Sequence, residues 1–283
     1  MNPGLAVLVT LAAFLAEQTA PTFRTGVDVV ELDVSVMRGG HPLRELTAGD
    51  FEVRDRGVLQ KLTTVAVDRL PLSVVLVFDV SSSVQGERLH RLIEAGRALV
   101  KTLRPGERAA LVTFSHRLTV RVPLTERLET IDRSLQLLNG GGATALRDAV
   151  CLALGLAPID QTRPLVLVFS DGQDNASWLG EQAIVAAARR TGVVIHAVEV
   201  AGQAGVLLKT LTDATGGRLW SASSNRQLQE LFTSALEEMR ARYLLSFAPT
   251  DPGAGWHDLT VTLKNGHAEV VARPGYLVGS SNP

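Results

Sequence analysis

Three oxygen-bearing side chains, Asp79, Ser81 and Ser83, alternate in "FDVSSS" directly after the apolar run "LSVVLVF". Alternate residues of extended chain face the same side, so these three can converge while Val80 and Ser82 act as spacers. Two other loops should reach the same edge. "LNGGGATALRDA" brings Thr144 to a glycine-rich helix start, and "LVFSDGQDN" brings Asp171 to the end of a strand as apolar as the first. Two carboxylates and three hydroxyls make an all-oxygen set, which suits a hard octahedral divalent ion, Mg²⁺ or Mn²⁺. Around it, Ser82, Gly142, Asp174 and His116, the last following "LVTFS" at another strand end, are the residues expected on the rim that a partner would touch.

The same residues have simpler readings. A serine or aspartate before "ERLHRLIEAGRALV" caps the free amides of a helix. Gly140 to Gly142 can be a plain turn or a phosphate cradle, although no lysine follows to complete a nucleotide-binding loop. Asp174 and Asn175 can merely shape a turn, and His116 can be a solvated loop histidine. Trp178, Tyr243 and Trp256 are expected in core or interdomain packing.

The elements that would position this site follow from hydrophobic rhythm. From Leu72 onward strand and helix patterns alternate, the signature of a doubly wound, mostly parallel α/β sheet covered on both faces. "LSVVLVF", "RAALVTF", "PLVLVFS" and "VVIHAVEV" read as inner strands, being apolar without alternation. Helical spacing predicts helices over 87–103, 128–138, 144–157, 179–191 and 228–242, with Gly155 and Gly192 placed for left-handed caps. In such a sheet a ligand sits outside the carboxyl ends of the strands, where the opening motif lies.

The flanks alternate with period two instead. "VDVVELDVSVMRGGHPL" and "DFEVRDRGVLQKLTTVAV" before the α/β region, and "RYLLSFAP" and "WHDLTVTLKNGHAEVVARPGYL" after it, read as antiparallel strands. Gly39-Gly40, "DRG" and Asn265-Gly266 serve as their turns. Each flank is too short to bury a core alone, so the two should pack as one β-sandwich-like module. The expected division is 1–20 a signal peptide, 21–70 and 242–283 the two parts of the β module, and 71–241 the α/β domain.

The chain of 283 residues is 46% hydrophobic with a net charge of −1, and its basic residues are scattered. That excludes a disordered tail and offers no basic face for nucleic acid or an anionic membrane. Cys151 is the single cysteine, so no intrachain disulfide or cysteine-rich zinc site can form; within its apolar helical stretch it reads as an inert core thiol. The six histidines never take a close metal-ligand spacing. The apolar run from Leu5 to Ala16 is too short to span a bilayer and looks like a secretion signal, despite lacking a preceding Lys or Arg. Export to the periplasm or beyond is therefore expected, with no transmembrane span in the mature chain.

At "DVSSS", at Thr144 in "GGATAL" and at Asp171 in "FSDGQD", the sequence resembles the von Willebrand factor A domain and its metal-ion-dependent adhesion site. The resemblance runs from about Pro71 to Met239. It implies a Rossmann-like fold and a non-enzymatic protein-binding role. Ser81 and Ser83 would coordinate the ion directly, Thr144 directly or through water, and Asp79 and Asp171 largely through bridging waters. Neutral hydroxyls would leave the ion electron-poor, ready to take an Asp or Glu from a protein ligand. The helix after Thr144, or the last helix, would shift between weak and strong states. The flanks also resemble a bacterial subgroup of related proteins described chiefly from acidobacteria. The rival reading is a Mg²⁺-dependent haloacid-dehalogenase-like phosphatase with Asp79 as nucleophile. It needs an acid two residues on, where this chain has Ser81, which cannot do that work near neutral pH.

Overall fold

The computed structural model describes residues 29–67, 70–199, 205–222, 224–251 and 253–279. The expected signal peptide, 1–20, lies outside the described residues. The chain begins with strands β1 (Val30–Arg38), β2 (His41–Pro42), β3 (Phe51–Asp55), β4 (Val58–Leu59) and β5 (Leu62–Val67). Gly39 and Gly40 take φ of 57° and 80° between β1 and β2, and Arg56 and Gly57 take 48° and 81° between β3 and β4. Two successive positive φ values match the right-handed twist of the strands they join. Arg56 holds this strained conformation while its guanidinium donates to the Trp256 carbonyl at 3.0 Å.

The α/β region then runs β6 (Leu72–Asp79), α1 (Glu87–Thr102), β7 (Arg108–Phe114), β8 (Leu118–Thr125), α2 (Leu128–Gln136), α3 (Leu146–Leu156), β9 (Arg163–Ser170), α4 (Glu181–Arg190), β10 (Val194–Glu199), α5 (Val206–Thr215), β11 (Leu219–Ser221) and α6 (Asn225–Arg240). Its sheet is ordered β11-β10-β9-β6-β7-β8, parallel except for β8, which runs antiparallel to β7. The even-numbered side chains of β6, Val74, Leu76 and Phe78, pack with residues of α1, α2 and α6. Val75 and Val77 pack on the other face with α3, α4 and α5. Both faces of β6 are thus buried, which explains why it reads as an unbroken apolar run; each such side chain contributes about 1.5–3 kcal/mol of burial.

The chain ends with β12 (Tyr243–Phe247), β13 (Gly255–Leu263), β14 (Glu269–Val271) and β15 (Gly275–Val278). The two chain ends meet directly: β1 pairs antiparallel with β12, from Val30 opposite Phe247 to Val34 opposite Tyr243. One sheet is β14-β1-β12-β5 with β2 beside β1, and the other is β15-β13-β3-β4. Leu32, Val34, Phe51, Val53, Tyr243, Leu245 and Phe247 form the core between them. The fold is therefore a doubly wound α/β domain carried on an antiparallel sandwich built from both flanks. Arg163 ties the two together, ion-paired to Asp33 and donating to the Met239 carbonyl at 2.8 Å.

Several expectations are corrected. Asn265-Gly266 closes no hairpin: β13 pairs with β15 and β3 while β14 pairs with β1, so this turn carries the chain from one sheet to the other. Gly155 lies inside α3, and α4 ends at an extended Thr191. The left-handed cap is at Gly216, φ 70°, closing α5. Strands β8 and β11 and helix α5 were not expected. Of these, β8 carries Pro123, tolerated because the strand lies at the sheet edge.

Candidate metal centre

Strands β6 and β9 are neighbours, and the helices that follow them, α1 and α4, cover opposite faces of the sheet. The two connections therefore diverge and leave a crevice at the carboxyl ends of the strands. Asp79 ends β6 and Asp171 follows β9, so both carboxylates stand at this crevice. Asp79 is 0% exposed and Asp171 6%. The Ser81 amide donates to Asp79 Oδ1 at 2.9 Å and the Ser170 hydroxyl to Oδ2 at 2.7 Å. The hydroxyls of Ser81 and Ser83 lie 3.0 Å apart, at the entry to a single 3₁₀ turn over Ser82–Val84. Burial pushes the Asp79 carboxyl above its ordinary pKa, against the hydrogen bonds from Ser81 and Ser170, and the Asp171 charge pushes the same way as burial.

Among the described residues neither carboxylate has an ion-pair partner. Two buried like charges without a cation are costly, and a divalent ion among these oxygens would offset that cost. The donor set also fits such an ion chemically. Two carboxylates and three hydroxyls are hard oxygen donors of the kind such an ion takes; among the described residues no group of three or more His, Cys, Asp and Glu is placed to hold a metal.

Thr144 is fixed by its backbone. Its amide donates to Asn175 Oδ1 at 2.8 Å, and its carbonyl accepts from the amides of Asn175 and Ala176 at 3.0 Å each. Its hydroxyl makes no hydrogen bond among the described residues, which leaves that oxygen available. The loop after β9 thus carries Asp171 and also anchors Thr144.

The glycine-rich loop is pinned to the first loop. The Ser82 amide donates to the Gly142 carbonyl and the Gly142 amide to the Ser82 hydroxyl, both at 2.9 Å. The Gly141 amide donates to the Val80 carbonyl at 2.7 Å, and Gln85 Nε2 to the Gly140 carbonyl at 2.8 Å. Gly142 has φ 95°, and a Cβ there would stand 2.0 Å from His116 Nδ1. Glycine is required both by conformation and by the imidazole lying over it.

Of the expected rim, Ser82, Gly142 and His116 adjoin one another, with His116 exposed. Asp174 departs from that role. Its carboxylate accepts from the Arg147 amide at 2.8 Å, from Arg147 Nη2 at 3.1 Å, and from Ser177 Oγ at 2.7 Å, so it caps α3 from a neighbouring loop. Asp148 returns the contact by accepting from the amides of Trp178 and Leu179 at 2.9 and 3.0 Å. Sequence spacing gave no sign of these cross-loop caps, because the partners lie about thirty positions apart. Trp178 is also corrected: it is 97% exposed, not packed. Cys151, as expected, sits on α3 against the core of that face.

Residues 74–173 match the family model described as the von Willebrand factor type A domain. Over that stretch the chain is similar to the von Willebrand factor type A domain. Calcium-activated chloride channel regulator 1 of Bos taurus is 28% identical over 181 residues, covering 60% of this chain and 19% of the relative. A UPF0353 protein of Mycolicibacterium gilvum is 25% identical over 226 residues, 68% of this chain and 66% of the relative. The chain therefore spans less than two thirds of either relative's length. Among solved structures, proximal thread matrix protein 1 from the mussel byssus, whose metal-ion-dependent adhesion motif holds zinc, superposes with a TM-score of 0.53 at 21% identity. That match covers 64% of this chain and 48% of the other, and it is a likeness of fold.

No finding supports the phosphatase alternative, and the geometry opposes it. Both oxygens of Asp79 accept internal hydrogen bonds and the side chain is fully buried, whereas a nucleophile must present an oxygen to its substrate.

Proposed function

We propose that this protein binds another protein through a divalent ion held by Asp79, Ser81, Ser83, Thr144 and Asp171. The observation that carries the reading is the pair of buried carboxylates, without ion-pair partners among the described residues, at the divergence of β6 and β9, with the Ser81 and Ser83 hydroxyls directly after the first of them. Ser81, Ser83 and Thr144 hold the ion by their hydroxyls, while Asp79 and Asp171 stand behind and neutralise it. A bound Mg²⁺ or Mn²⁺ supplies an electron-poor centre that takes a carboxylate from an Asp or Glu of the partner. The zinc at the corresponding motif of the mussel protein supports a divalent ion, and the family match supports a binding rather than an enzymatic role. Export is part of the proposal; it accords with the expected signal at 1–20, and no helix among the described residues is long and apolar enough to cross a membrane.

Calorimetric titration with Mg²⁺ and Mn²⁺ tests the site. Wild type is expected to bind and Asp79→Ala to lose binding; equal affinity, or none in either protein, sinks the proposal. Capture of a partner from the source organism's envelope fraction should disappear when chelator is added. A second expectation concerns the loop pin. Ser82→Ala removes one hydrogen bond to Gly142, worth about 0.5–1.5 kcal/mol, so Mg²⁺ affinity should fall about 2- to 10-fold through looser placement of Thr144, without abolition. An unchanged affinity would show that the glycine-rich loop is held without Ser82.

A further inference from the structure

Beside the crevice, between the β7–β8 turn and the glycine-rich loop, lies an open cavity of about 430 Å³. Arg117, Arg121 and His116 line it together with the hydroxyls of Thr113, Ser115 and Thr119, and no aspartate or glutamate does. Arg121 donates from Nε to Thr113 Oγ1 at 3.1 Å, which orients the guanidinium along the wall. Among the described residues, neither Arg117 nor Arg121 is ion-paired to a carboxylate. Elsewhere among the described residues, Arg97, Arg108, Arg147, Arg163, Arg218 and Arg240 all have acidic partners. Two guanidiniums without a counter-ion, converging on one concave surface with three hydroxyls, make a receptor for an anion.

The cavity also shares a wall with the candidate metal centre. Val80, which lines it, sits between Asp79 and Ser81 in the chain, and the Gly141 amide holds the Val80 carbonyl at 2.7 Å. The His116 ring lies over Gly142 on the same boundary. An anionic ligand in the cavity would therefore lie alongside whatever occupies the crevice.

We infer that this cavity receives a second carboxylate of the same partner, so that the protein recognises an acidic segment of a protein and not an isolated acidic residue. The inference rests on the proposed metal-bound carboxylate for the first contact. Acidic side chains two to four positions apart in an extended segment are separated by about 7–13 Å, a span suited to adjoining sites. Each arginine offers paired N–H donors to a carboxylate, and the metal centre has none of these, so the two contacts differ in their dependence on chelator.

Fluorescence anisotropy with labelled synthetic peptides separates them. One peptide carries a single Asp in a Gly/Ser background; the other adds Glu residues two to four positions away. In Mg²⁺ the multi-acid peptide should bind roughly tenfold more tightly than the single-acid peptide. Arg117→Gln/Arg121→Gln should erase that ratio and leave the single-acid affinity unchanged. A ratio that survives in the double variant overturns the inference, as does failure of both peptides to bind wild type. Circular dichroism checks the fold, and the exposed single substitution Arg117→Gln, expected to reduce the ratio part-way, carries the test should the double variant misfold. If chelator and Asp79→Ala leave peptide binding intact while the arginine substitutions abolish it, the metal reading fails and the anion cavity stands.

Discussion

Asp79→Asn is expected to stabilise the protein in chelator and destabilise it, relative to wild type, in saturating Mg²⁺. In the absence of the ion, Asp79 is a fully buried carboxylate beside a second one, with no basic partner among the described residues. The amide keeps an acceptor for the Ser81 amide and removes the charge, so the metal-free fold loses its internal repulsion. With Mg²⁺ at about 100 times its dissociation constant, wild type gains about 2.7 kcal/mol by mass action, a rise of roughly 5–11 °C for a domain of this size. The variant, lacking one of the neutralising charges, should gain little of it. Thermal unfolding of both proteins with and without Mg²⁺ is the measurement. Curves that fail to cross, with the variant less stable under both conditions, would mean that Asp79 serves the fold and not an ion.

The sequence made the centre of this molecule legible because the central strands are buried on both faces. An unbroken apolar run such as Leu72 to Phe78 can hardly be anything else between two turns, and its end marks the crevice. Alternation in "DVSSS" likewise separated Asp79, Ser81 and Ser83 from Val80. That same parity argument made Ser82 a spacer, whereas it pins the glycine-rich loop through Gly142. Parity tells which way a side chain points and nothing about which loop folds over it. The Asp174 and Asp148 caps were hidden for the same reason, being contacts between loops brought together by the sheet. Asn265-Gly266 failed as a hairpin signal because a turn preference fixes the local chain reversal and does not choose the sheet that each arm joins. The helix α5 and the edge strands β8 and β11 are short or interrupted, so periodicity had little length in which to declare itself.

Glu238→Gln should cost about 3–5 kcal/mol, the penalty for leaving a buried charge without its partner. Glu238 lies on α6 where the α/β domain passes into the sandwich, and it accepts from Arg242 Nη2 at 2.9 Å and from His196 Nε2 at 2.9 Å. Arg242 is 0% exposed, with one further hydrogen bond, to the Gly216 carbonyl at 2.8 Å. Neutralising Glu238 strands that guanidinium in the interior. The double variant Glu238→Gln/Arg242→Met removes both charges and should lose less than the single one, a coupling that urea unfolding would resolve. The sign of the pH dependence follows from the same cluster. The Arg218 amide donates to His196 Nδ1 at 2.9 Å, so the proton sits on Nε2 and the ring is neutral. Burial lowers the His196 pKa below its ordinary 6.5, against the pull of Glu238. Burial raises Glu238, but the charges of Arg242 and His196 and their hydrogen bonds overcome it and hold the carboxyl well below 4.5. The unfolded chain therefore binds a proton at His196 below about pH 6.5, and another at Glu238 below about pH 4.5, before the native state does. This cluster makes stability fall as pH drops through about 6.5, and fall more steeply below 4.5. Glu238→Gln should make the lower limb shallower, leaving the part due to other lowered carboxylates such as Asp132 and Asp174; an unaltered acid limb in that variant would place the acid sensitivity elsewhere.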